Sequence, residues 1–173
     1  MRVIRYLLVA ISLVMAASFS TIAHAATAAQ LNADGKAALS RLYAQSDRAR
    51  RYSRDAKGIL VFPKIVKAGF MVGAQTGDGV LLSGDRATGF YNISAGSFGL
   101  QAGAQSFSYA MFFMNDEALD YLAKSKGWAF GSGPSIVVLD QGKAKTMNTT
   151  FGQQGLMGGL GMEGSKITPI QPD

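Results

Sequence analysis

A short pattern written twice constrains this chain most. Gly69-Phe70-Met71-Val72-Gly73-Ala74-Gln75 returns thirty residues later as Gly99-Leu100-Gln101-Ala102-Gly103-Ala104-Gln105. In a straight strand, residues i and i+4 share a face about 13 Å apart. Gly69 and Gly73 would then bare one face while Phe70, Val72 and Ala74 load the other, and Gly99 and Gly103 would do the same beside Leu100, Ala102 and Ala104. Residues Gly155 to Gly159 form a looser third copy. Glycine inside a strand costs stability and marks a bulge, a bend or a close approach of other backbone or ligand. Three such strands predict a sharply curved sheet, or a groove with backbone walls. All 21 glycines lie beyond residue 25, roughly twice the average frequency of about 7%.

Ahead of these strands, residues 28–57 carry a helical period. Leu31, Ala38, Leu39, Leu42, Tyr43, Ala49 and Ala56 share one arc with Ser46 and Ser53, and the arginines lie mostly outside it. Gly35 is expected to interrupt or start the regular helix, and Asp47 to pair with Arg51 one turn on. From Gly58 the period becomes strand-like. "GILVF" reads as a strand ended by Pro63, "QTGDG" as a hairpin turn, and a second junction falls near "SAG". Asn115 should cap one more helix with Asp116 and Glu117 in its first turn, Ala118, Leu119 and Leu122 inward, and Gly127 at its end. "SIVVLD", "KAKTMNTT" and "FGQQGLMGGLGM" read as further strands. The expected fold is a single α+β domain, with a curved, mostly antiparallel Gly-rich β-sheet packed with an N-terminal amphipathic helix and one further helix.

Residues 1–25 read as a secretory signal peptide: Arg2 and Arg5, an apolar run, then Ala23-His24-Ala25. The domain is then residues 26–173, and its expected place is the periplasm or envelope. The chain has no cysteine, and its one histidine, His24, falls in that leader. Ser-His-Asp triads, Cys-His dyads and His/Cys zinc sites are therefore excluded from the mature chain. No Ser-x-x-Lys occurs either. The expectation is a non-enzyme with no catalytic residues, metal or cofactor. Without Arg2 and Arg5, 15 of the 17 basic residues remain against 11 acidic ones, a formal +4. That balance suits an acidic surface such as phospholipid, and a secreted protein has little occasion to meet nucleic acid.

Other candidates carry less. Asp116, Glu117 and Asp120 are explained by helix electrostatics, with Asp120 placed to pair with Lys124. Asp78 and Asp85 are expected at turns. Trp128 fits a core or docking role. The glycine clusters lack the Gly-Lys-Ser/Thr of a phosphate loop.

"AKGILVFPKIVKAGFMVGAQTGDGVLL" (Ala56 to Leu82), "AGSFGLQAGAQ" with "MFFMNDEALDYL", and "GLMGGLGMEGSKI" together resemble the SYLF domain in its bacterial secreted branch, over about Ala28 to Ile167. The resemblance implies a lipid-binding domain. Eukaryotic relatives bind phosphoinositides and some bind actin filaments, of which only the lipid part transfers to a bacterial envelope. Two features depart from the pattern: "TGFYNIS" replaces a Trp-containing segment, and the cysteine of the lipoprotein relatives is missing. The family's basic region corresponds to Arg48, Arg50, Arg51, Arg54 and Lys57, followed by Lys64 and Lys67.

The expected function is therefore contact with anionic lipid headgroups through this basic cluster, the glycines Gly69, Gly73, Gly99 and Gly103 forming a groove or packing the helix closely. The alternatives are a structural or interaction protein with an envelope protein as partner and no lipid ligand, or a small outer-membrane β-barrel. The oligomeric state is left open.

Overall fold

The computed structural model of the protein describes residues 26–124, 137–141 and 144–173. The expected leader lies outside the described residues, as do Gly127, Trp128 and the start of "SIVVLD".

The expected helix over residues 28–57 is two helices. Helix α1 spans Ala28–Gln45, and Thr27 caps it by accepting the Gln30 N–H at 3.2 Å. Helix α2 spans Asp47–Asp55. Ser46 between them is extended (φ −143°, ψ 102°), and its Oγ accepts the Ala49 N–H at 3.2 Å. The break has a local cause. Ser followed by Asp is a strong helix start, so a second helix begins where the first could have continued. Arg50 closes the joint, its Nη2 donating at 2.6 Å to the Tyr43 carbonyl, one of the orphan acceptors of the α1 C-terminus. The expected Asp47–Arg51 pair is instead Asp47–Arg50, at 3.7 Å and well exposed.

The sheet is antiparallel throughout, with strands β1 (Gly58–Ser83), β2 (Arg86–Phe113), β3 (Val137–Gln141) and β4 (Ala144–Ile170) in the order β1-β2-β4-β3. The short strands read from the sequence are thus fused into three very long ones. Pro63 does not end a strand. It sits at a register shift on edge strand β1, where its missing N–H costs no ladder bond, and Ser108 donates to its carbonyl at 2.8 Å. "QTGDG" and "SAG" are strand interior, and the first hairpin turns at Gly84-Asp85, with Gly84 at φ +58°. Asp85 is at a turn as expected. Asp78 is not: it lies in β1 and accepts from Asn92 Nδ2 on β2 at 2.8 Å.

A straight strand of 26 residues would run about 85 Å, but β1 doubles back on itself. A Cβ built on Gly77 would lie 2.5 Å from the Lys64 carbonyl oxygen and 3.0 Å from Ile65 Cα, and one on Gly79 would lie 2.8 Å from the Val61 carbonyl oxygen. The crease falls at the repeated motif. Gly69 pairs with Gly103, and the register shifts between Phe70 and Val72. On the other side of β2, Gly99 pairs with Gly161 and Gln101 with Gly159. All three glycine motifs therefore meet side by side across the sheet, at one level. Met71 (φ +61°) and Gly103 (φ +133°) take the positive angles that the fold-over requires.

Alternation then fills two cores. One face of the strands, inside the fold-over, buries Leu60, Phe62, Ile65, Ile93, Tyr109, Met111 and Ile167 with Ala118 and Leu122. Those last two belong to helix α3 (Asp116–Lys124), which Asn115 Oδ1 caps by accepting the Ala118 N–H at 3.1 Å. Burial pushes the Tyr109 phenol well above its ordinary pKa, so it sits in this core as the neutral form. The opposite face carries Val61, Val80, Leu82, Ala110 and Phe112 to meet Leu31, Ala38, Leu39 and Leu42 of α1 and Ala49 of α2.

Gly35 neither starts nor interrupts α1; it lies buried within it, and a Cβ there would meet Val80 and, at 3.1 Å, Val61 Cγ1. Ordinarily Gly→Ala in a helix gains about 1 kcal/mol. Here both valines are fully buried and stiff at χ1, so neither can give way. Gly35→Ala is expected to destabilise by about 1–2 kcal/mol despite its better propensity, read from the urea midpoint.

Candidate functional site

The basic residues divide into two groups. Helix α2 carries Arg48, Arg50, Arg51 and Arg54 in nine residues, all exposed, because Ala49 is buried and Tyr52 packs its ring on Phe112 (centroids 6.2 Å apart). At 100° per residue Arg50, Arg51 and Arg54 fan over the arc opposite those two, and Arg48 flanks Tyr52 from the preceding turn. Asp47 and Asp55 share that arc and dilute its charge. Arg50 is held by the α1 carboxyl end and Asp47, whereas no hydrogen bond or ion pair engages Arg48, Arg51 or Arg54 among the described residues. Exposed Lys57 lies beside this group, its backbone N–H donating to the Phe113 carbonyl at 2.8 Å. Around the joint, burial raises the Tyr43 phenol above its usual value, and a hydrogen bond with Ser53 partly opposes that shift.

Lys64 and Lys67 do not join this cluster. Lys64 is seven residues further along β1, about 23 Å on, toward the crease. Lys67 is 9% exposed, because strand alternation turns it inward with Ile65. The expected single patch from Arg48 to Lys67 is therefore corrected to an exposed arginine end, one exposed lysine about midway along β1 to the crease, and one buried lysine.

Of the four motif glycines, Gly69 is packed by its own strand. A Cβ on Gly69 would meet Gly73 Cα and, at 2.6 Å, the Val72 carbonyl oxygen, so the neighbour that comes close is the same strand. Helix α1 packs instead through Gly35 on Val61 and Val80. Gly73 is buried, Gly103 is exposed, and Gly99 is placed by its pairing with Gly161.

One feature was missed by sequence reasoning. Phe70, Met71 and Val72 are 75%, 52% and 64% exposed, three apolar side chains in a row outside the crease, with Val66 also exposed. The signal was present as three consecutive apolar residues between two glycines, but strict strand alternation hides it. Among the described residues no group of His, Cys, Asp and Glu could hold a metal, and no helix is long and apolar enough to cross a membrane. Asp120 pairs with Lys124 at 2.7 Å, the helix-surface role expected for it.

The chain matches no protein-family model and no curated protein sequence.

Proposed function

We propose that this protein is a non-enzymatic lipid-binding domain of the bacterial envelope, periplasmic after loss of its leader, that holds anionic headgroups through α2. The observation that carries this reading is the exposed arc of Arg48, Arg51 and Arg54, which have no partner among the described residues, beside Lys57. Clustered guanidinium groups without internal partners suit phosphate, which they bind in bidentate fashion. The resemblance to the SYLF domain points the same way. The β-barrel alternative fits less well, since the described sheet has four strands and open edges where small membrane barrels need at least eight strands closed on themselves.

Flotation of residues 26–173 with vesicles tests the reading. Each surface arginine is worth about 1 kcal/mol at an anionic bilayer, and Asp47 and Asp55 take back part of that. Arg48→Ala/Arg51→Ala/Arg54→Ala is expected to weaken binding to phosphatidylglycerol vesicles about tenfold at low salt, with the difference shrinking as salt rises. Arg50 is left in place because it holds the helix joint. Equal binding to neutral and anionic vesicles at every salt concentration would overturn the electrostatic reading, and a stoichiometric protein partner without lipid would replace it.

A further inference from the structure

We infer that the crease carries a second lipid contact: Phe70, Met71 and Val72 form an apolar knuckle that inserts into the acyl region of a bilayer bearing anionic headgroups. The inference rests on the lipid-surface reading above but uses different residues at the other end of the molecule. Helices α1 and α2 pack at the level of Val61, Val80 and Phe112, and Phe70 lies nine residues further along β1, about 30 Å away.

Three observations carry it. The first is exposure. Strand alternation should hide every second side chain, yet the register shift at Phe70/Val72 turns three consecutive apolar ones outward. The second is conformation. Met71 holds φ +61°, which costs a non-glycine residue energy and persists only because the surrounding crease imposes it. The third is charge. From Ala56 to Gly77 the chain carries Lys57, Lys64 and Lys67 and no acidic residue, and β2 has no charged residue from Ala87 to Phe113. Glu163, paired with Ser97 on the far side of β2, is the acid nearest in register, and Lys166 follows it on β4. An apolar tip on a strand segment without acids, with exposed Lys64 about 20 Å behind it along β1, suits hydrocarbon beneath an anionic headgroup layer. Three convex side chains fall well short of the roughly 800 Å² per partner of a specific protein interface, which favours a deformable bilayer over a protein surface.

Because the chain has no cysteine, Phe70→Cys labelled with a nitrobenzoxadiazole dye reports on this one position. On vesicles of phosphatidylglycerol and phosphatidylcholine, the dye is expected to brighten, shift to the blue and be quenched by brominated acyl chains. Phe70→Ser/Val72→Ser is expected to lose about tenfold in vesicle binding at high salt, where the arginine contribution is screened, with its thermal unfolding unchanged. A water-like dye signal on vesicle-bound protein, or a dimer that the serine variant dissolves, would overturn the insertion while leaving the arginine reading intact. Loss of binding in the serine variant but not in the arginine variant would support the knuckle and remove the arginine reading. No binding to any vesicle would overturn both.

Discussion

Gly77→Val is expected to leave the chain without a stable native fold. The residue lies where the two halves of β1 press together, and even a methyl group there would sit 2.5 Å from the Lys64 carbonyl oxygen and 3.0 Å from Ile65 Cα. Both neighbours are backbone. They cannot rotate aside as a side-chain end can, so the layers must part, and parting them opens the core around Phe62, Ile65 and Ile93. Overpacking a core that can adjust costs about 1–3 kcal/mol, and a valine against fixed backbone should exceed that range. For a domain whose whole stability is about 5–15 kcal/mol, this is enough to deplete folded protein in the cell. Circular dichroism and urea unfolding of the purified variant check it. Gly96→Ala is the control: nothing lies within 4 Å of its added Cβ, so it is expected to be neutral or to gain about 0.5 kcal/mol. A Gly77→Val protein with a wild-type midpoint would refute the fold-over as the reason for this glycine.

The second large effect is Phe62→Ala, expected to cost about 3–5 kcal/mol. Phe62 is fully buried, stacks on Tyr109 with centroids 6.4 Å apart, and lies across Gly79 from the other half of its own strand. A Cβ on Gly79 would come within 2.5 Å of Phe62 Cδ1 and 2.7 Å of Cε1. Gly79→Ala is therefore destabilising chiefly because Phe62 is there. In the Phe62→Ala background that clash is gone, leaving the Val61 carbonyl oxygen at 2.8 Å as the remaining tight contact. The double variant is expected to be more stable than the sum of the two single effects by about 1 kcal/mol or more. Simple additivity across the four-protein cycle would show that the two residues do not share this contact.

Local signals were legible wherever a residue's role was local. Asn115, Asp116 and Glu117 marked the start of α3 because capping needs only the next few backbone N–H groups. The arc of Leu31, Ala38, Leu39 and Leu42 marked the face of α1 because one helix turn follows another. The break at Ser46 was written in the same language, as Ser-Asp, but a continuous apolar arc across it argued for one helix. What the sequence could not express was why a glycine was present. Gly77 and Gly79 look like a turn, and so does Gly84. Only Gly84 is one; the other two are small because another part of the chain lies against them. That distinction depends on a contact between residues such as Lys64 and Gly77, which no local window contains.

The candidate site followed the same division. The arginines of α2 were visible as composition and period. That Arg50 is tied to the Tyr43 carbonyl, that Lys67 turns inward, and that Lys64 stands apart from the arginines all depend on the course of β1. The curved sheet was foreseen from its glycines. That the three motifs would align at one crease follows from strand register, which depends on where the hairpin turns.

The crease also sets an order for folding. Between the turn at Gly84-Asp85 and the pair Val72–Phe98, the β1–β2 hairpin can zip up from local contacts alone. Beyond the crease, from Phe70–Ala102 to Gly58–Phe113, partners lie ever further apart in the chain and gain most of their burial only when the first half is there to receive them. Late pairing of that kind slows folding, because loop-closure entropy is lost before the contacts repay it. During that interval the outer half of β1 is an unpaired apolar edge that another chain can capture. In this protein the same glycines that permit the native fold also mark the point at which a folding chain is most open to aggregation.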